Sequence, residues 1–359
     1  ERLPERGAAR DALAGRFAEI AAARPGPRRL AAALVAARIA ARAHEATDRR
    51  AGDALAAVGD AWTDSTVEEI LAGIQGFADD GNEAAASDFL ATLLRRAPAM
   101  PAPAARRLAT ASFALDAIAG DRGERSLELL RLVRTRGVRP FSRDGDPAET
   151  EAEAIHRLSG LYSFLDDRGG AELLLRRALE LDPDHVYSLN NLAFAAIERG
   201  ELDAETVRRA ERALELRPQD PSVLDTVGWL RYKQGRFRDD ERGEGAISLL
   251  TRALRAAGDD PGHEPLDHLG DALWRIGDRA GAIRAWFAAA ETVALRHPPE
   301  ETVRALPAYE RREHGVVLLD PRAFWRRSFG ETAEGARRKA ERAAAGLEPE
   351  VSPLAAEGP

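Results

Sequence analysis

The chain has 359 residues, 52 basic against 60 acidic side chains and a formal net charge of −8. That balance argues against a general nucleic-acid binder, which needs a net basic face to displace counterions. With no cysteine, disulfides, thiolate metal sites and cysteine nucleophiles are excluded, while the compartment stays open.

Only Lys233 and Lys339 are lysines; the other basic residues are Arg. Beside so much Ala this reads as a genome-wide composition bias and not as an Arg-specific site. Acidic and basic residues alternate along most segments, the pattern of solvated helix faces. The chain starts at Glu1 and not at Met, so an upstream segment is expected to have been removed.

In chain order, residues 1–66 read as an Ala-rich helical segment of degenerate repeats, with helices over Arg10–Trp62. Its most apolar stretch, Leu30–Ala46, is interrupted by Arg38 and Arg42 and is a soluble helix, not a membrane span. Residues 67–140 carry degenerate helix pairs. Val67–Met100 places Ile70, Phe77, Gly81, Ala86, Leu90, Leu93 and Pro98 in the frame, and Arg107–Pro140 places Phe113, Ala114, Ser126, Leu130 and Val133. Residues 141–151 form a linker, with the polar turn cluster Phe141–Glu149 as the candidate boundary.

Residues 152–296 repeat one helix-pair pattern four times, as 152–185, 186–220, 221–262 and 263–296. Ala171, Leu175, Ala178 and Pro183 fall at offsets 0, 4, 7 and 12, and Thr206, Ala210, Ala213 and Pro218 repeat them 35 residues later. Ala246, Leu250 and Ala253 repeat the first three, as do Ala282, Trp286 and Ala289. A period near 34 with small residues at fixed places predicts an all-α stacked helical solenoid. Gly200, Gly235 and Gly277 mark the turns between the first (A) and second (B) helix of a pair. Small residues such as Gly228 and Gly270 let helix axes approach. Asp220-Pro221 and Asp146-Pro147 are helix starts, with Asp as N-cap and Pro at the first helical position.

Extra residues at Arg236–Gly245 and Ala257–Gly262 fall at turns and are expected to project. Val316–Leu319 is the one short branched apolar run, closed by Pro321. Residues 297–346 read as C-terminal capping helices, near Glu301–Arg312 and Thr332–Ala345, and 347–359 as a disordered tail.

These residues resemble the tetratricopeptide repeat family, whose pattern has bulky, Leu, Gly and Tyr positions on helix A and Ala, Phe, Ala and Pro positions on helix B. The resemblance covers Ala152–Arg296 and, less closely, Val67–Met100. Leu224–Arg236 and Leu266–Trp286 look like segments of bacterial proteins of the cell envelope, which favours an extracytoplasmic, periplasmic or envelope-associated, location over a cytoplasmic one. The resemblance implies a right-handed superhelix of antiparallel helix pairs whose concave face, built by the A helices, holds peptides or partner proteins. The family's clamp for terminal carboxylates would fall on His156, Gly160, Asn191, Ser222 and Thr226; only Asn191 keeps the required type, so that clamp is not expected.

The frame places His156, Ser163, Phe164 and Ile197 on the inner face, with Tyr187, Asn190, Phe194, Asp225, Trp229, Tyr232, Lys233, Asp267, Asp271, Trp274 and Arg275. Tyr and Trp combine large contact area with a polar tip, as binding hot spots do. Asp225, Asp267 and Asp271 add an acidic edge suited to a ligand with apolar side chains and a basic residue. The other reading is that these aromatics pack between helices or under the chain's own C-terminal segment. His263-Glu264-Pro265-Leu266-Asp267-His268 lacks the four-residue His spacing of a zinc helix, so no metal is expected, and His268 could hydrogen-bond Asp271.

No phosphate loop or serine elbow appears, and no catalytic or cofactor-binding residue is assigned. The expected function is a non-enzymatic scaffold that binds a peptide or partner protein in the groove, with no nucleic acid and no transmembrane segment. The alternative is a self-assembling structural protein, a homo-oligomer, whose groove is filled by its own segment Pro298–Phe329. An enzyme with the repeats as an accessory domain would have to place its chemistry in the first 150 residues, which show no motif.

Overall fold

The residues that recur at offsets 0, 4 and 7 are all sequestered from solvent. Ala171, Leu175, Ala178, Thr206, Ala210, Ala213, Ala246, Leu250, Ala253, Ala282, Trp286 and Ala289 are each 3% exposed or less. Residues three and four apart share one helix face, so burial at this spacing means that each B helix presents one stripe to its neighbours. The computed structural model describes residues 27–42, 48–58, 62–78, 80–120, 123–141, 149–165, 167–258, 261–296 and 331–355. Asp146-Pro147, Glu301–Arg312, Val316–Leu319 and Pro298–Phe329 lie outside the described residues.

Fifteen helices are described, and no strand beyond an isolated bridge between Asp240 and Gly243. They are α1 (Pro27–Arg42), α2 (Asp48–Val58), α3 (Asp64–Ala78), α4 (Glu83–Arg96), α5 (Ala102–Ala119), α6 (Glu124–Thr135), α7 (Glu151–Phe164) and α8 (Arg168–Leu181). Then follow α9 (Val186–Glu198), α10 (Ala204–Leu216), α11 (Pro221–Lys233), α12 (Ala246–Ala257), α13 (His263–Arg275), α14 (Arg279–Arg296) and α15 (Glu331–Ala344). Contacts divide the chain into two units between Leu174 and Leu175, inside α8 and not at the 141–151 linker. The physical reason lies in α7: its Tyr162 hydroxyl donates to Ser126 Oγ on α6 at 2.9 Å, and Ser126 donates to the buried Asp116 of α5 at 3.0 Å. The first helix of the expected repeat block is therefore bound into the N-terminal unit.

In that unit Val67–Met100 spans helices α3 and α4. Ile70, Phe77, Ala86, Leu90 and Leu93 are buried, and the Phe77 and Phe89 rings lie 5.9 Å apart. Gly81 turns α3 into α4 at φ 71°, a conformation only glycine adopts without strain.

In the second unit the turns share one chemistry. Gly200, Gly235 and Gly277 have φ of 77°, 72° and 85°, and each donates its N–H to the residue three positions back while the next N–H reaches five positions back. This is the Schellman ending, which satisfies carbonyls that a helix terminus leaves unpaired. Asp220 caps α11 from its side chain to the amides of Ser222 and Val223, with Pro221 at the first position, as expected. Thr150 caps α7. The Arg236–Gly245 insertion does not project freely. Ala246 N–H bonds Arg236 O, Ile247 N–H bonds Phe237 O, and the Phe237 ring meets Tyr232 edge-on at 5.7 Å.

Close approach explains two glycines. A Cβ at Gly270 would lie 2.4 Å from the Trp286 indole, and one at Gly228 would lie 2.8 Å from Leu250. Helix α15 lies against α14 and α13 through Ala336, Ala340 and Ala343, whose small side chains pack beside Trp274 and Trp286. The outer side of α15 carries exposed Arg337, Arg338 and Glu341. The following segment is not a loose tail through residue 355. Gly346, at φ 73°, donates to Ala343 O and Leu347 N–H to Arg342 O, so the chain turns back over the helices.

Substitution by alanine separates packing from propensity. Gly270→Ala is expected to lower stability by about 1–3 kcal/mol despite the better helix propensity of Ala, because the Trp286 ring is fixed. Gly160→Ala, exposed in α7 with nothing within 4 Å, should instead gain roughly 0.5–1 kcal/mol. Urea midpoints of the two variants check both signs.

Candidate docking face and the segment that covers it

Helices α9, α11 and α13 are the A helices of successive pairs, and the residues expected on the inner face lie on them at helical spacing. Tyr187, Asn190 and Phe194 come from α9, Asp225, Trp229, Tyr232 and Lys233 from α11, and Asp267, Asp271, Trp274 and Arg275 from α13. His156 and Ser163 lie on α7 in the other unit, and the side chain of Phe164 is outside the described residues.

Most of these side chains are covered. Trp229 is 2% exposed, Tyr232 and Asp271 are wholly buried, and Asn190, Asp225 and Trp274 are also buried. Tyr187 stays 38% exposed, with its hydroxyl donating to Asp220 at 3.0 Å. Trp229 is thus a core residue, one of the cluster that includes Leu224, Val227 and Leu250. Its ring stacks on Tyr232 at 4.5 Å and on His268 at 3.9 Å, and its indole N–H donates to Glu198 at 2.5 Å. Truncating it would remove packing, not only a contact surface.

His268 pairs with α11 and not with Asp271 on its own helix. Its Nδ1 lies 2.9 Å from Asp225 Oδ1. The ring sits against Trp229, whereas the Asp271 carboxylate is taken up by Trp286 Nε1 at 3.0 Å and Lys339 Nζ at 2.8 Å. Burial disfavours the imidazolium, but the charge and hydrogen bond of Asp225, with Glu264 and Asp267 nearby, outweigh it and push His268 up to about 9. A cationic ring stacked on indole gains further from the ring quadrupole.

The C-terminal segment completes the cover. Ser352 N–H donates to Asp271 Oδ2 at 2.9 Å. Ser352 O accepts from Arg275 at 3.0 Å and from the Tyr232 hydroxyl, and Pro353 O accepts from Lys233 Nζ at 3.1 Å. Glu348 accepts from the Trp274 indole at 2.9 Å. Val351 packs against the Trp274–Trp286 cluster, and Leu354 against the Trp229–Tyr232 cluster. Beside it, Lys339 of α15 reaches both oxygens of Asp267 at 3.0 and 2.8 Å. Burial works against its charge, yet Asp271 and Asp267 hold this ammonium above the ordinary lysine range.

Sequence reasoning missed Lys339, Glu198 and the segment Glu348–Leu354. One signal was available: both lysines of an otherwise Arg-only chain belong to this site. Among the described residues no group of three His, Cys, Asp or Glu side chains could hold a metal, and no helix is long and apolar enough to cross a membrane.

Residues 174–205 match the tetratricopeptide repeat family. A TPR repeat-containing protein of Pseudomonas aeruginosa is 33% identical over 117 residues, covering 33% of this chain and 18% of that protein. The chain carries tetratricopeptide repeats. The likeness spans about a fifth of the relative's length, so it is a likeness of repeats and not of whole proteins. In the tetratricopeptide frame, Asn191 is exposed, while Asn190 is buried and its Oδ1 finds no hydrogen-bond donor. Tetratricopeptide arrays are generally protein-interaction modules, and here the A-helix face already holds a stretch of polypeptide.

The His268–Asp225 pair has a pH signature. A raised imidazole value means stability that is fully present below the ordinary 6.5 and is lost as pH rises through about 9. The shift corresponds to roughly 3 kcal/mol. Urea unfolding of the wild type should weaken across that window, and Asp225→Asn should flatten the dependence. An equally steep loss in Asp225→Asn would assign it to another group.

Proposed function

We propose that this protein is a non-enzymatic scaffold that holds an extended segment of a partner protein on the A helices α9, α11 and α13. One observation carries the reading. Side chains of α11 and α13 hydrogen-bond both the backbone N–H and the backbone C=O of one residue, Ser352, and the next carbonyl. Contacts to backbone groups do not depend on the side chain, so a face that makes them suits polypeptide in general. The uncovered part of the face supports the same reading. Tyr187 on α9 is 38% exposed.

The second reading, a self-assembling structural protein with the groove filled by its own C-terminal segment, is supported in its latter half. The described residues that lie on the face are Glu348–Leu354; the expected segment Pro298–Phe329 lies outside the described residues.

A photo-crosslinking residue at Tyr187 on the A-helix face should yield a discrete covalent adduct with one protein in the native cell. The same residue at exposed Arg208 on helix α10 should not. Equal labelling from both positions would sink the docking reading. An adduct made only of two copies of this chain would favour self-assembly.

A further inference from the structure

We propose that Glu348–Leu354 is an internal occupant of a peptide site on α11 and α13, and that the site's external ligand is a protein segment of the same chemistry. That chemistry is a carboxylate, an apolar side chain three residues later and a second apolar side chain three residues after that, with prolines between. The inference rests on the docking reading above and names its ligand.

The occupant is held at points that define a recognition code. Glu348 meets the Trp274 indole, Val351 enters the Trp274–Trp286 cluster and Leu354 the Trp229–Tyr232 cluster. The spacing of three, with Pro349 and Pro353 between these residues, matches the three-residue turn of an extended polyproline-II chain. Such a chain leaves its backbone groups unpaired within itself. The helices supply the missing partners: Asp271 for an N–H, and Arg275, Tyr232 and Lys233 for carbonyls. The segment is poised for exchange. Leu347, Glu348 and Pro353 are exposed, Val351, Ser352 and Leu354 only partly buried, and Pro349 alone is buried, while the Gly346 turn tethers the segment to α15.

A tethered occupant competes at high effective concentration, so an external segment must add contacts that the tail lacks. Tyr187 on α9, the A helix beside α11, offers exposed area for them.

The test uses the full chain and a fluorescent synthetic peptide of the sequence Leu347–Ala355, read by anisotropy. Ser352→Pro removes the N–H donated to Asp271, and Val351→Asp with Leu354→Asp removes both apolar anchors, without touching any helix. Each variant is expected to bind the peptide about ten-fold more tightly than the wild type, because the occupied state no longer taxes binding. A control peptide with Asp at the Val351 and Leu354 positions should bind neither. Circular dichroism verifies that the variants keep wild-type helicity.

Peptide affinity unchanged in both folded variants overturns the proposal. If the Tyr187 adduct nevertheless forms, the docking reading stands without it. A wild-type dimer that becomes monomeric in Ser352→Pro would also overturn it, by placing the tail in a second copy. Tighter peptide binding with a Tyr187 adduct that increases in the variants supports both readings. Tighter binding with no Tyr187 adduct supports the internal occupant and removes the wider face.

Discussion

The carboxylate of Asp271 is the point on which the C-terminal half of the second unit converges. It is wholly buried on α13, yet three elements donate to it: Trp286 of α14, Lys339 of α15 and the backbone of Ser352. An ionised carboxylate offers about four lone-pair positions, and three of them are used here. A buried charge left without partners costs several kcal/mol, so each donor is held in place by the need of the others. Asp271 thereby couples the last helix pair, the cap and the strand that covers the face.

The same chemistry explains why both lysines of the chain occur here. Lys339 reaches three carboxylate oxygens of Asp267 and Asp271, an arrangement open to a compact ammonium with three donors and poorly matched to a planar guanidinium. Lys233 extends over the Trp229 ring at 4.8 Å to the carbonyl of Pro353. Burial pushes its ammonium down, with Glu198 and Asp271 opposing. Arg275 and Tyr232 meet at the neighbouring carbonyl. The face is therefore neither a simple apolar groove nor an acidic one. Where the C-terminal segment lies, it is an apolar floor whose donors and the Asp271 acceptor meet backbone groups.

Within the repeats the sequence was legible because helical periodicity is local. Ala210, Ala213, Leu250 and Ala253 could be assigned to the core from spacing alone, and Gly200, Gly235 and Gly277 to turns, since a left-handed residue at a helix end favours glycine wherever it occurs. The A-helix positions were legible as a face but not as exposed or buried. Trp229 and Tyr232 look identical in sequence whether they await a partner or already have one. His268 was misassigned to Asp271 because one-turn spacing suggested a pair, while the actual partner, Asp225, lies 43 residues away in sequence.

The sequence by itself determined an all-helical array of paired helices, the residues at its close contacts, its turns and the side of the helices on which polar and aromatic residues gather. Each depends on interactions within one or two turns of chain or between neighbouring repeats. Tertiary structure decided that the first repeat's A helix packs with the N-terminal unit and that Asp271 is shared by three elements. It also decided that residues 348–354, without helical periodicity, lie ordered across α11 and α13. Those outcomes rest on hydrogen bonds between groups up to 120 residues apart, which no local pattern encodes.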